Sequence, residues 1–277
     1  MGKRKNLTDW VHHAPHSNQL ERIEAFFSGY AYDLHRHDTY AIGRTLSGVQ
    51  SFQYRAGQRH SLPGGTIVLH PDEIHDGQAG SEDGFHYRMI YIEPALIQQV
   101  LGGKPLPFIK DGISTDPRLH AATSVLLQSM DCAIDPLEEE DALFDLAYAL
   151  GAVVGAPKNR QSFDYLAAER AREFIHGALD RTITLSELAE QSGRDRWSLS
   201  RDFRVLFGTS PYRYLTMRRL DLVRSLLLHG QSLASAALVA GFTDQSHMTR
   251  HFSKTYGLSP ARWLKIRGAG PATAPAT

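Results

Sequence analysis

Three histidines carry the first recognisable chemistry of this chain. His35 and His37 flank Arg36, and His75 follows downstream. Alternate residues of a strand share a face, so the spacing predicts that His35 and His37 point together. His75, from a distant strand or loop, could join them inside a barrel. Such a cluster can hold a small-molecule effector, ligate a metal ion, or simply hydrogen-bond backbone. Tyr40, Arg44, Tyr54, Tyr87 and Arg88 are candidate neighbours, and an arginine favours a carboxylate-bearing effector. The expected site gathers His35, His37, Tyr40, Arg44 and His75 around one bound small molecule. No cofactor is expected; a metal at the three histidines is the alternative.

A second chemistry lies in an imperfect repeat. Thr184–Pro211 recurs at Ser232–Pro260, with Leu185, Ala189 and Gly193 matching Leu233, Ala237 and Gly241. Arg201, Phe203, Gly208, Ser210 and Pro211 match Arg250, Phe252, Gly257, Ser259 and Pro260. Each copy reads as a short helix, a glycine turn and a second helix, the pattern of a helix-turn-helix. In the first copy Leu199, Phe203 and Leu206 fall on one face and Trp197, Ser200, Arg201 and Arg204 on another. In the second, Met248 and Phe252 point inward, leaving Gln245, Ser246, Thr249 and Arg250 exposed with His247 nearby. Arginine can bond guanine in two places, and an aromatic surface can meet the thymine methyl. Trp197 could instead fill a core gap.

The elements that position these residues follow from composition. Across 277 residues the net charge is zero, but residues 161–277 carry 16 Lys/Arg against 10 Asp/Glu. The remainder carries 14 against 20, so a basic half is joined to an acidic one. Residues 1–19 read as a mobile arm with His12, His13 and His16. Short apolar runs follow at Tyr40–Leu46, Val49–Tyr54, Thr66–Leu69 and Tyr87–Ile92, with spacing that suits a small antiparallel barrel or sandwich. Helical patterns occupy Pro117–Met130 and Pro136–Val154. Leu137, Leu143, Phe144, Leu146, Ala147 and Leu150 give the second a broad apolar face. A helix over Pro211–Leu228, roughly 27 Å long, joins the two repeats and could hold two reading helices about one DNA turn, ~34 Å, apart. Arg213, Arg218, Arg219 and Arg224 on it, with Arg262, Lys265 and Arg267 beyond, are candidates for phosphate contacts. The lone Cys132 is expected to pack in a helix.

In these motifs the chain resembles the AraC/XylS family of bacterial transcription regulators. The resemblance rests on Ala240–Phe252 (AGFTDQSHMTRHF) and Tyr256–Pro260 (YGLSP), with Leu199–Phe203, Gly208–Pro211 and Arg218–Leu220 before them. It implies base contacts from Arg196, Trp197, Ser200 and Arg201, and from Gln245, Ser246, His247, Thr249 and Arg250. Asp195 stands where a small capping serine is common and can cap as well. The order His35-Arg-His37, Pro63-Gly-Gly65, Leu69-His-Pro71, His75 is similar to the cupin-type sensor domain common in that family. Metal-binding cupins usually carry a Glu four residues after the second histidine; here Ala41 stands there.

The expected architecture is a jelly-roll barrel with accessory helices, followed by an all-α domain with two helix-turn-helix units. Expected bounds are 1–155 for the sensing and dimerisation domain, 156–162 for a linker, 163–267 for the DNA-binding domain and 268–277 for a disordered tail. The expected function is sequence-specific transcription regulation under control of a small-molecule effector. Expected partners are double-stranded DNA, an effector, a second copy of the chain and RNA polymerase. No signal peptide or membrane span is read, so a cytoplasmic location is expected. The rival is a cupin enzyme, a metal-dependent dioxygenase or isomerase, with an appended DNA-binding tail; the incomplete metal set argues against it.

Overall fold

The structure is a computed structural model. It describes residues 8–15, 17, 20–155 and 163–267. His16, most of the arm, the linker and the tail named above lie outside the described residues.

Ten strands and ten helices are formed among the described residues. The large sheet has the order β1 (Trp10–His13), β2 (Leu20–Phe27), β9 (Phe85–Ile92), β4 (Tyr40–Gly48), β7 (Thr66–Leu69), β10 (Ile113–Ser114). The small sheet has the order β3 (Tyr30–His35), β8 (His75–Ala79), β5 (Gln50–Tyr54), β6 (Gly57–Ser61). Thus Trp10–His13 of the expected arm is a strand, paired antiparallel with β2.

Both faces of the large sheet are covered, which explains why β4 and β7 read as continuous apolar runs. Ala41, Ile67, Leu69, Tyr87 and Met89 point into the barrel. Tyr40, Ile42, Val68, Ile90 and Ile92 point the other way, onto α2 (Pro117–Leu127) and α3 (Pro136–Val154). Two arginines on that outer face tie the sheet to the C-terminal end of α2. Arg22 donates to the carbonyls of Leu126, Ser129 and Cys132, and Arg88 to those of Leu127 and Gln128. A cation there satisfies carbonyls with no intrahelical partner and complements the helix dipole. Cys132 itself is exposed in the α2–α3 loop, because α2 ends at Leu127 rather than at Met130.

α3 corrects a second expectation. Its apolar residues divide between two faces. Leu143, Leu146, Ala147 and Leu150 are buried, whereas Leu137, Phe144 and Tyr148 are 67%, 55% and 70% exposed. Spaced at i, i+7 and i+11, these three form a separate stripe.

The C-terminal half comprises α4 (Tyr165–His176), α5 (Leu185–Ser192), α6 (Arg196–Phe207), α7 (Pro211–Leu228), α8 (Leu233–Val239), α9 (Gln245–Tyr256) and α10 (Pro260–Arg267). One core gathers Leu188, Leu199, Phe203 and Tyr214 around the first unit. Another gathers Leu220, Val223, Met248, Phe252 and Trp263 around the second. α7 contributes to both cores and so links the units rigidly.

Candidate functional site

Both reading helices start at aspartate caps. Asp195 accepts from the amides of Trp197 and Ser198, and Asp244 from that of His247 at 2.8 Å. Capping by the side chain outside the helix leaves first-turn side chains free to project. On α6 the buried face is Leu199, Phe203 and Leu206, while Arg196, Trp197, Arg201 and Arg204 are exposed. Trp197 is 74% exposed and is therefore no core filler. The Arg196 guanidinium sits 5.9 Å from its ring centre. Ser200 is half-buried and its carbonyl accepts from Arg204. On α9, Gln245, Ser246 and Arg250 are exposed, and His247 and Thr249 half-buried. His247 Nε2 lies 3.0 Å from His251 Nε2.

Arg201 has a partner that the sequence reading missed. Its guanidinium donates to buried Asp202, which also accepts from Arg194 and the Asp164 amide. The available signal was position: Asp202 lies three residues after Leu199 and four before Leu206, on the core stripe.

The arginines of α7 correct the phosphate expectation. Arg218 is buried between Asp38 and Glu93 of the barrel half, 2.9 Å from Asp38. Arg224 bonds Glu21, and Arg213 lies 2.7 Å from Asp72. Arg219 donates to the carbonyls of Leu179 and Arg181. Arg262 and Lys265 remain exposed; Arg267 lies against His13. The charge asymmetry seen in sequence thus joins the two halves of the chain. Burial and Arg224 act oppositely on Glu21, and the arginine prevails, holding its carboxyl below the usual range.

Between the halves lies a cavity of about 760 Å³. The barrel contributes an apolar wall that includes Ile23, Leu69 and Met89; α7, α9 and α10 contribute Met217, Tyr256, Trp263 and Ile266. Its polar groups include Arg218, Arg224, Arg267, His13 and Glu21. Tyr32, Tyr87 and Tyr91 line it as well, with Tyr32 and Tyr87 hydroxyls 3.1 Å apart. Tyr91 was missed although it shares the β9 face of Tyr87 at i+4.

His35, His37 and His75 all face this cavity and are all buried. His35 ends β3, directly opposite His75 at the start of β8, while His37 lies just past the strand. One ring nitrogen of each lies within 4.8 Å of the others. Each Nδ1 meets a backbone oxygen: Asp33 at 2.7 Å, Thr39 at 2.9 Å and Glu73 at 2.9 Å. Burial, reinforced by the neighbouring histidine, pulls His35 and His37 down to about 3 and His75 well below the usual range, so all three are neutral near pH 7. Such a cluster can hold a metal or accept hydrogen bonds from a ligand.

Tyr40 and Arg44 do not line the cavity. Both stand at even positions of β4, on the face turned to the helices: Tyr40 bonds the Pro107 carbonyl and Arg44 bonds Ser124 of α2. A period of two separates them from Ala41, which does line it. Arg88 lies on the outer face too, and Tyr54 is buried elsewhere in the barrel with its hydroxyl accepting from the His70 amide.

Barrel, cavity and paired helix-turn-helix units together define a class, the ligand-responsive DNA-binding regulators. Residues 17–149 match the family model of the AraC-like ligand binding domain, and residues 188–266 match a helix-turn-helix domain. The chain belongs to the AraC family of transcriptional regulators. It is 25% identical to the HTH-type transcriptional regulator YbfI of Bacillus subtilis over 226 residues, 77% of this chain and 80% of that protein. It is 33% identical to the probable transcription factor PqrA of Proteus vulgaris over 82 residues, 29% of this chain and 67% of that one. In fold it is similar to ToxT of Vibrio cholerae, with a TM-score of 0.67 at 14% identity over 91% of this chain and 100% of that one. The protein is a DNA-binding transcription regulator with a small-molecule-binding N-terminal domain. No described helix is long and apolar enough to cross a membrane.

Proposed function

We propose that the effector is a small carboxylic acid with an apolar body, bound in the cavity between the barrel and the second helix-turn-helix unit. One observation carries this reading: the cavity is walled by both halves, and its lining sets Arg218, Arg224 and Arg267, with the carboxylates of Glu21, Asp38, Glu93 and Asp221 that they face, beside aliphatic and aromatic side chains. A carboxylate entering there competes with Glu21 for Arg224, and so acts on the contact that holds the halves together. ToxT, similar in fold, has been solved with an unsaturated fatty acid and with (E)-4-(8-methylnaphthalen-1-yl)but-3-enoic acid; both are acids with apolar bodies. His35, His37 and His75 belong to this effector site, and Tyr40 and Arg44 drop out of it.

Bases are read by Arg196, Trp197, Ser200 and Arg201, and by Gln245, Ser246, His247, Thr249 and Arg250. The working unit is a cytoplasmic homodimer, formed through residues 1–155 with the Leu137/Phe144/Tyr148 stripe as its seam, and it recruits RNA polymerase from DNA. Residues 163–267 form the DNA-binding domain. The chain is no enzyme on this reading: about a third of the residues lining the cavity come from the DNA-reading domain, which suits a switch rather than turnover.

A thermal-shift series of straight-chain and aryl carboxylates on the full chain tests the effector reading. A ligand that binds the folded state raises its melting temperature. Acids should do so, and their amides should not. Equal effects from acid and amide would overturn the carboxylate assignment.

A further inference from the structure

The histidine cluster is more specifically arranged than an effector pocket requires. Each of the three Nδ1 atoms is spent on a carbonyl oxygen, of Asp33, Thr39 or Glu73. A carbonyl can only accept, so each Nδ1 carries the proton, and the tautomer is fixed with its lone pair on Nε2. The three rings then converge: centroids are 4.2 Å apart for His35 and His75, 4.9 Å for His37 and His75, and 6.0 Å for His35 and His37. Metal-binding histidines are held in this way, with the second nitrogen donating to a carbonyl or carboxylate that sets ring orientation.

We propose that His35, His37 and His75 form a binding site for a divalent transition-metal ion of the zinc class, ligated through three Nε2 atoms with a coordination position open to the cavity. Three imidazoles without thiolate or carboxylate suit Zn²⁺, Co²⁺, Ni²⁺ or Cu²⁺ rather than Mg²⁺ or Ca²⁺. Three protein ligands leave the fourth position of a tetrahedral ion exchangeable. Ala41 offers no donor, and the carboxylates nearby are engaged, Asp38 by Arg218 and Glu21 by Arg224. The fourth ligand is therefore water or an external anion. Ligands of one ion at ~2.0–2.1 Å stand on the order of 3 Å apart, so nitrogens now within 4.8 Å must close by roughly an ångström or two. That closure has to come from small shifts of the three rings about their Nδ1 hydrogen bonds. The imidazoles are already neutral, so no proton has to be displaced near pH 7. The absence of a carboxylate at position 41 therefore leaves a site open to exchange; it does not remove the site.

The metal also reaches the DNA-reading half. Gly257, the C-cap of α9, packs on His35 so closely that an added Cβ would lie 2.9 Å from its Nδ1. Any shift of His35 as the histidines close on an ion is therefore felt at the end of a reading helix. Whether the open position takes the effector's carboxylate rests on the effector reading above; metal binding does not.

The test uses the full chain, stripped by chelator and titrated with Co²⁺, whose visible d–d bands report coordination. We expect saturation at about one equivalent, displacement by Zn²⁺, and weakening of at least about tenfold in His37→Ala and in His75→Ala. His37→Gln accompanies them, and melting curves of the metal-free variants establish that each is folded. His251→Ala removes the competing His247/His251 pair and should leave binding unchanged. Failure to reach half an equivalent, or a titration that folded His37→Ala and His37→Gln leave unchanged, would overturn the proposal. Octanoate added to the Co²⁺-loaded chain should alter the d–d bands. Unaltered bands would refute an open position accessible to a carboxylate while leaving stoichiometry intact. Absence of metal, conversely, leaves the thermal-shift comparison of acids and amides standing on its own.

Discussion

Gly257 and His35 touch across the two halves of the chain, and only the lack of a side chain on the glycine permits it. An added Cβ would lie 2.9 Å from His35 Nδ1 and 2.8 Å from the Asp33 oxygen. The Asp33 amide bonds the Gly257 carbonyl at 3.2 Å, and the Arg36 amide bonds the Lys254 carbonyl at 3.3 Å. The end of a reading helix is thus fastened to the strand that ends at His35.

Gly257→Ala should loosen this junction. Its φ of +65° is left-handed, which costs a side chain about 1 kcal/mol, and the contact with Asp33 and His35 adds to that. We expect a lower melting temperature and a several-fold gain in duplex DNA binding by the full chain, read by fluorescence anisotropy. Unchanged DNA affinity in a folded variant would show that the junction does not restrain the reading helix.

Glu21→Gln and Asp38→Asn should act similarly from the barrel side, since each removes one carboxylate from Arg224 or Arg218. Breaking one partner of a buried pair can cost about 3–5 kcal/mol, and the half-buried Glu21 pair less. The expected result is a lower melting temperature together with tighter DNA binding at low salt. A loss of both stability and DNA binding would mean that the docked arrangement is itself the DNA-binding form.

Trp197→Ala and Arg250→Ala should leave the melting temperature within about 1 °C, because both side chains are exposed. Each should lose about 1–3 kcal/mol of discrimination between operator and random DNA. Arg201→Ala should differ, because it also strips a partner from buried Asp202, so its melting temperature should fall as well. Wild-type discrimination in all three would place base reading on another face.

Acid should destabilise the chain through its buried histidines. For His37 the folded value is depressed to about 3, so below pH 6.5 the unfolded chain binds a proton that the folded chain cannot. Its contribution is complete above pH 6.5 and is lost as pH falls towards 3, by at most about 1.4 kcal/mol per unit. Asp38, pushed up to about 7 by burial despite Arg218, works in the opposite direction. The measurement is therefore a difference: chemical unfolding of metal-free wild type and His37→Gln between pH 4.5 and 6.5. The wild type should lose more stability on acidification, and parallel profiles would contradict the neutral, buried state of this histidine.

Much of this arrangement was legible in the sequence. The bounds of α3, α7 and β7 could be read directly, because proline starts both helices and apolar runs mark all three. The repeated turn glycines and the inward stripe of Leu199, Phe203 and Leu206 gave the two reading helices, and the histidine spacing gave a shared cavity. What escaped was tertiary. Strand register decides that Ala41 faces in while Tyr40 and Arg44 face out, and a period of two offers both choices until one face is fixed. The pairing of Arg218 with Asp38, 180 residues away, leaves no local signature. Nor does the exposed stripe of α3, whose residues look the same as the buried ones in composition.

Arg213, Arg218 and Arg224 of α7 face carboxylates of their own chain, so the protein carries an internal counterion for charges that a free DNA-binding domain would leave to solution ions. DNA must compete with that built-in polyanion. Salt weakens both contests at once: it screens phosphate and it loosens the carboxylates. The affinity of the whole chain for DNA should therefore decline with ionic strength along a shallower slope than its basic half alone would show, since part of the electrostatic work is done inside the molecule before DNA arrives.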